Sequence, residues 1–404
     1  MQAGARCKVV HLTSVHSPHD NRIFYKECAT LANAGYDVTL IATGKADGFD
    51  KQSGVHLKAL KPPRNRLERF WRTIPQLYRA ALQEDAPIYH YHDPELMPIG
   101  ALLRLHGKKV IYDVHEDYSG SMSSRLWIPR PLQGLASWGV RLCEKIFATR
   151  CSRVIAATPT IARLFPLSKV TLVQNFPWIS ELFREIAIPY CDRDPIVAHV
   201  GALTMDRGLA EMAKAVELVA AVRPLKLVLA GKAFSGAGPE LDHERWKGLI
   251  EHAGLLTRPQ VAELLAKTKI GIVTLHPTQN YKNSQPTKLY EYMSAGIPVI
   301  ASDFPVWRQI VEPSGCGLLV DPLDPGAIAE AIEWLLAHPR EAELMGNHGR
   351  CAITHLYNWE KEGAKLVATY AELAADRTAG LKETTGMNWS SQETFQKRAE
   401  GKCE

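Results

Sequence analysis

A chain of 404 residues, 46% hydrophobic and 23% charged, has a globular composition and more length than one ordinary core takes, so two domains are expected. It has no apolar run of roughly 18 residues, which argues against a membrane-spanning helix, and its eight cysteines lack any C-x-x-C spacing, which argues for reduced thiols rather than a disulfide or zinc framework. The net charge of +5 is uneven: bases outnumber acids through residue 180 and acids outnumber bases beyond it, so the first half suits an anionic surface such as phospholipid, a lipid-linked phosphate or nucleic acid.

In chain order, "CKVVHLTS" reads as a first strand, its apolar segment being too short for a signal peptide. "DNRIFYKECATLANAG" reads as a helix, with Asp20 as N-cap and Gly35 ending it. "YDVTLIAT" is the next strand. In the helical "RNRLERFWRTIPQLYRAALQ", Leu67, Phe70, Trp71 and Ile74 gather on one face, flanked by Arg64, Arg66, Arg69 and Arg72. That face suits either a core or the interface of an anionic membrane. The strand "PIYHYHD", the helix "PELMPIGALLRLHG" and the strands "KKVIYDVHED", "SRVIAAT" and "KVTLVQN" follow. "FPWISELFREIAIPYCDRD" reads as an interdomain connection.

The rhythm restarts with the strand "PIVAHVGAL", the helix "GLAEMAKAVELVAAV" and the strand "LKLVLAGK". "RPQVAELLAKT" is helical, "IGIVTLHP" and "IPVIASD" are strands on either side of another helix, and "GLLVDP" with "DPGAIAEAIEWLLAHP" completes the series. Such alternation predicts two doubly wound, Rossmann-like α/β domains that bind ligand at strand C-terminal ends. The expected division is 1–178, 179–356, a helix over 357–377 that can cross back to the first domain, and a loose polar tail over 378–404.

One stretch, "KNSQPTKLYEYMSAGIPVIASDFP", is the most informative. Pro286 suits a first helical turn, Ser284 or Gln285 can cap, and Gly296 fits the left-handed position that ends a helix. Lys288 and Glu291 lie off the apolar stripe near open amides. This reads either as a site for a phosphate joined to a polyol or as a solvated i,i+3 pair. Four more clusters follow strands: "SVHSPHDNR", "YHYHDPE", "YDVHEDY" and "GALTMDRGL". His90, His92 and Asp93 with Asp113 or Asp117 resemble metal-hydrolase ligands, but the second half offers no matching set. G-x-G-x-x-G, P-loop and G-x-S-x-G patterns are absent.

Together "HVGALTMDRGL", the 281–305 stretch and "GCGLLVDPLDPGAIAEAI" resemble the family 4 glycosyltransferases of the two-domain GT-B fold. "HDNRIFYKECATLANAGYDVTLIA", "YHYHDPELMPIG" and "KKVIYDVHEDY" resemble one branch of that family, and the likeness runs over about residues 7–375. The resemblance implies two Rossmann-like domains facing each other across a cleft. It implies sugar transfer from a nucleotide-sugar donor with retained anomeric configuration and no metal or other cofactor. The arginine-flanked face, the basic first half and the reduced thiols lead to the expectation of a cytoplasmic enzyme peripheral to the membrane's inner face, working on a glycan or lipid-linked acceptor in envelope or extracellular polysaccharide assembly, and the lack of a nucleic-acid motif argues against nucleic acid. Carried over by motif, His115, Arg207 and Glu291 are the catalytic set. Gly201, Arg207, Asn283, Ser284, Gln285, Pro286, Thr287, Lys288 and Glu291 bind the donor, with Glu291 on the ribose and Arg207 on the diphosphate. His16, His19, Asp20, Arg22 and His92 are expected on the acceptor side. The sequence departs from the pattern at Asn283, where the family has a first glutamate, and at Ala202, where a second basic residue is common. A nucleotide-sugar 2-epimerase of the same fold and a catalytically inactive GT-B binding subunit are the alternatives.

Overall fold

The computed structural model describes residues 6–118, 120, 130–182, 188–234 and 246–375. The expected polar tail, 378–404, lies outside the described residues. The described chain divides into two units. One runs to Asn175 and includes residues 361–375, and the other is Phe176–Glu360.

Among the described residues, the first unit holds an eight-stranded sheet: β1 (Lys8–Leu12), β2 (Asp37–Thr43), β3 (Gly48–Asp50), β4 (Val55–Leu60), β5 (Ile88–Tyr91), β6 (Lys109–Val114), β7 (Arg153–Ala156) and β8 (Val170–Leu172). The order is β3-β4-β2-β1-β5-β6-β7-β8, parallel except for the β3–β4 edge pair. Its central strands are runs such as VVHL and IYHY that are buried on both faces, as helices covering both sides of a parallel sheet require. Val10, Leu12, Tyr89, Tyr91, Val110 and Tyr112 form the middle of the core.

The second unit, among its described residues, holds β9 (Asp194–Val200), β10 (Lys226–Ala230), β11 (Ile250–Gly254), β12 (Thr268–Val273), β13 (Val299–Ser302) and β14 (Gly317–Val320). All are parallel, in the order β11-β10-β9-β12-β13-β14. In both units the chain winds outward from a central strand, then returns to the strand's other side. The reversal lies between β1 and β5 in one and between β9 and β12 in the other, and the crevice beyond such a pair is where doubly wound sheets bind ligand.

Two expectations need correction. The helical stretch from Arg66 to Glu84 does not turn its aromatic face to a core: Leu67, Phe70 and Trp71 are 71%, 52% and 82% exposed, and packing is left to Ile74, Leu77, Ala80 and Ala81. Its register shifts because Arg69–Thr73 is wound wider than an α-helix, which breaks the 3.6-residue period that grouped Ile74 with the others. The helix after Lys282 does not begin on a capping side chain. Pro286 is itself the N-cap residue, with no side-chain cap, and the helix is Thr287–Ala295. Among the described residues, Cys7, Cys28, Cys143, Cys151, Cys191 and Cys316 are free thiols.

Candidate active site

In the second unit, the ends of β9 and β12 and the start of the Thr287–Ala295 helix bring together Gly201, Arg207 and Lys288. Gly201 follows β9 with φ 139°, a conformation open chiefly to glycine, and any Cβ there would collide with the Lys288 side chain. Gly208, at φ 76°, lets the chain pass against the Thr274 carbonyl at the end of β12. Arg207, in the short turn Met205–Arg207, stands 5.9 Å from the Tyr281 ring centre, and the Tyr281 hydroxyl donates to Asp206 at 3.1 Å.

The site is electrostatically unbalanced. Lys288 makes no ion pair among the described residues, and burial, reinforced by the Arg207 charge and only partly offset by Glu291, pushes its ammonium down to about 8. His199, buried at the end of β9, is pushed down to about 3 by burial and by the Lys288 and Arg207 charges, so it is neutral. The first amides of the Thr287–Ala295 helix carry no side-chain cap. Two neighbouring cations and an open helix start, with a neutral imidazole beside them, make a cradle for an anion.

Glu291 is not the partner of Lys288. Its Oε1 accepts from Arg258 at 2.9 Å, and Arg258 also reaches Glu181 at 2.5 Å. Burial works against the Arg258 charge, but Glu291 and Glu181 outweigh it and hold its guanidinium above its usual range. Sequence reading missed Arg258 and Glu181 because nothing in linear spacing links positions 181, 258 and 291. Ser284 is pinned by its carbonyl, which accepts from Trp307 Nε1 at 2.7 Å, and by its hydroxyl, which donates to the Tyr281 carbonyl at 3.1 Å. Asn283 closes the short helix Gln279–Asn283, and Gln285 lies between it and Pro286.

In the first unit the ends of β1 and β5 are tied by Asp93, whose Oδ2 accepts from Thr13 Oγ1 at 2.9 Å and from the Ser14 amide at 2.6 Å. His16 lies 3.5 Å from both Asp20 and Asp93, and its ring centre is 5.3 Å from that of His115. Burial opposes protonation of His16, but Asp20 and Asp93 raise it overall. Asp20 also accepts from the Arg22 and Ile23 amides, and His19 is exposed, edge-on to Phe24.

Arg22 and His92, expected on the acceptor side, are interior residues. Arg22 is a counter-ion to Asp113 at 2.9 Å and Glu27 at 2.9 Å, and it donates to the Val173 carbonyl at 3.0 Å. His92 is fully buried, with Nδ1 3.0 Å from Asp113 Oδ2. An Arg and a His at a strand end stay out of solvent when a buried carboxylate needs them, and Asp113 is that carboxylate. His115 binds the same oxygen through Nε2 and keeps an exposed edge, its side chain 13% accessible. Two sets of side chains, His11–Glu27–His90–His92 and His92–Asp113–His115, are close enough to hold a metal ion. In the arrangement present, the His11 and His92 nitrogens are engaged in hydrogen bonds and the Arg22 cation contacts both carboxylates, so the cluster is a hydrogen-bonded network.

Two parallel sheets, each with a polar cluster at its point of strand reversal, define a pair of Rossmann-like units. Residues 21–175 match the family model described as Glycosyltransferase Family 4, and residues 194–338 match that described as Glycosyl transferases group 1. The chain belongs to glycosyltransferase family 4, with the GT-B fold. It is 28% identical over 186 residues to the MMP alpha-(1->4)-mannosyltransferase of Mycolicibacterium hassiacum, covering 45% of this chain and 44% of that one. It is 28% identical over 148 residues to the phosphatidyl-myo-inositol mannosyltransferase of Mycobacterium leprae, covering 37% and 36%. The matches thus span less than half the length of these curated relatives. Among solved structures, sucrose-phosphate synthase from Thermosynechococcus elongatus superposes with a TM-score of 0.72 at 20% identity, over 92% of this chain and all (100%) of that one. Anabaena Alr3699/HepE in complex with UDP gives 0.69 at 13%, over 91% and 100%.

Proposed function

We propose that this chain transfers a sugar from a nucleoside-diphosphate sugar to a glycan or lipid-linked hydroxyl acceptor, with retention of anomeric configuration and without a metal or organic cofactor. The observation that carries the reading is the pair Arg207 and Lys288, two cations held near each other at an uncapped helix start, where a diphosphate relieves their repulsion. In this reading the bond from the anomeric carbon to the diphosphate breaks with its electron pair leaving on phosphate oxygen. The acceptor oxygen then takes the carbon and passes its proton to the departing phosphate oxygen. Arg207 and Lys288 meet the charge that develops on the leaving group. Glu291 Oε2, not engaged by Arg258, accepts from ribose hydroxyls. Gly201 and the Asn283–Lys288 segment surround the diphosphate and sugar. His115 faces the sugar, with His16, His19 and Asp20 on the acceptor side.

The acceptor is proposed to be carried on a membrane of envelope-polysaccharide assembly, with the protein peripheral to an anionic leaflet on its cytoplasmic face. No described helix is long and apolar enough to cross a membrane. The exposed Leu67, Phe70 and Trp71 among arginines support a surface contact, as does a second apolar stripe, Leu132, Leu135, Trp138, Leu142 and Ile146, on the helix Arg130–Arg150. Thermal shift with UDP, GDP, ADP and their sugars tests the reading. A nucleoside diphosphate should raise Tm by mass action, and more in wild type than in Arg207→Ala. No shift with any of them would count against it.

A further inference from the structure

Tyr281 stands between an acid and a cation of one turn in the second unit, and only the acid can take its proton. It belongs to the short helix Gln279–Asn283, where its amide donates to the Thr278 hydroxyl at 3.3 Å and its carbonyl accepts from the Ser284 hydroxyl at 3.1 Å. The backbone is thus held on both sides, and the phenol reaches back to the Met205–Arg207 turn that follows β9. The Tyr281 hydroxyl lies 3.1 Å from Asp206 Oδ2, and the Arg207 guanidinium carbon lies 5.9 Å from the ring centre. Burial raises the hydroxyl above its ordinary value, the Arg207 charge opposes that and the Asp206 charge adds to it, so both groups face the same phenol. A guanidinium has donors only. The one hydroxyl hydrogen therefore goes to Asp206, and the oxygen lone pairs are left toward Arg207. Asp206 Oδ1 accepts from the Thr204 hydroxyl, and the Asp206 carbonyl accepts from the His276 amide at 2.9 Å, which ties the turn to the end of β12. Glu211 and Glu291 are engaged by His276 at 3.1 Å and by Arg258 at 2.9 Å. Arg207 consequently has no ion-pair partner among the described residues, although a carboxylate is its immediate neighbour in sequence.

We propose that Tyr281 is a positioning residue for Arg207: its hydroxyl occupies Asp206 and its ring lies beneath the guanidinium, so the cation stays unpaired beside Lys288 for an incoming anion. Without the hydroxyl, Asp206 Oδ2 loses its donor, and the guanidinium on the other side of the phenol is the donor that can replace it. A pair formed there has to break again as negative charge grows on a leaving diphosphate, so Arg207 stabilises that charge less. The consequence for turnover rests on the proposed glycosyl transfer, whereas that for anion affinity rests only on the two-cation cradle.

The test uses the full chain and inorganic pyrophosphate, with affinity read by calorimetric titration for wild type, Tyr281→Phe, Asp206→Asn and the double variant. Tyr281→Phe keeps the ring and should weaken pyrophosphate binding about fivefold while Asp206 is present, the scale of one competing ion pair. With Asp206→Asn already in place the same change should cost less than about twofold, because no carboxylate is left to pair with Arg207. Equal losses in the two backgrounds overturn the proposal, since a merely structural role for Tyr281 does not depend on the charge at position 206. Wild-type affinity in folded Tyr281→Phe overturns it as well. With a nucleotide-sugar donor that supports turnover, Tyr281→Phe should lower kcat about tenfold with donor KM within about twofold, and the double variant should regain most of that loss. Wild type that binds no pyrophosphate would overturn the cradle, and this role with it. Pyrophosphate binding without turnover by wild type would overturn the proposed transfer alone, and the affinities still decide the role of Tyr281.

Discussion

Arg258 and Glu291, 33 positions apart, share a 2.9 Å ion pair that leaves one carboxylate oxygen of Glu291 open. The first residue of one helix thus sets the rotamer of an acid on another, and it does so before any ligand arrives. If the open oxygen holds ribose hydroxyls, Glu291→Ala should weaken nucleoside-diphosphate binding by about 1.5–3 kcal/mol, the range for a charge-assisted hydrogen bond. Arg258→Ala should weaken it less, because the acceptor remains but loses its orientation. Calorimetric titration of both variants decides the matter, and wild-type affinity in Glu291→Ala would make the helix merely structural.

Lys288 gives a pH-linked prediction. Below pH 8 it is protonated both folded and unfolded, whereas between about 8 and the ordinary 10.5 only the unfolded chain holds the proton, so its contribution to stability rises with pH across that window. A bound diphosphate restores the ammonium. Binding at pH 8.5 should therefore take up a fraction of a proton, visible as a heat that differs between buffers of different ionisation enthalpy. Lys288→Met should remove the difference, and identical heats for wild type in both buffers would contradict the assignment.

Arg207 should matter more as the diphosphate departs than when the donor first binds. Arg207→Ala is expected to lower kcat by about a hundredfold, the scale of losing one preorganised charge-stabilising donor, with a smaller rise in donor KM. Steady-state kinetics showing only a KM effect would demote it to a binding residue.

The histidine network predicts acid sensitivity. Burial holds His11, His90, His92 and His199 below the usual histidine value of 6.5, so below that pH they take up protons when unfolded but not when folded. Stability is lost as pH falls below about 6.5, each group contributing up to about 1.4 kcal/mol per pH unit. His16, raised by Asp20 and Asp93, opposes this in part. Thermal melts from pH 7.5 to 5.5 should show a falling Tm, and a flat profile would mean that these rings are hydrated.

The membrane proposal is tested by sedimentation with liposomes. Arg72 pairs with Glu68 and Arg69 lies 3.5 Å from Glu95, so the patch is less basic than its arginines suggest and its aromatic edge should matter more. Phe70→Ala with Trp71→Ala should reduce recovery with anionic vesicles more than Arg72→Ala does, and salt should weaken what remains. Equal recovery with and without vesicles for wild type would remove the surface from consideration.

Most of the fold could be read from the sequence, because runs such as VVHL and VTLIAT, buried on both faces, announce parallel strands by composition alone. β11 could not, since Glu251 and His252 are exposed on an edge strand that has little apolar pattern to read. At the candidate site, Gly201, Arg207, Lys288 and Glu291 carried local signals: strand ends, a helix start, a glycine. Arg258, Glu181 and Tyr370 carried none, because their contacts span 33, 77 and more than 270 positions of chain. The same limit explains Arg22 and His92, whose polarity suggested exposure until a buried Asp113 was found to require them.

The inclusion of residues 361–375 in the first unit has a consequence for synthesis. When Asn175 is added to the growing chain, Tyr370 and Glu362 are still nearly two hundred residues from being made. Until then His11 Nε2, His90 Nδ1 and the Gln174 amide lack the partners they have in the finished chain. At about 5–20 residues per second that interval is on the order of ten to forty seconds. The nascent first unit therefore waits with an incomplete interior, and its last lock closes only after the entire second unit has been translated. A polypeptide ending at Asn175 should accordingly exchange its buried amides faster than the same residues do in the full chain.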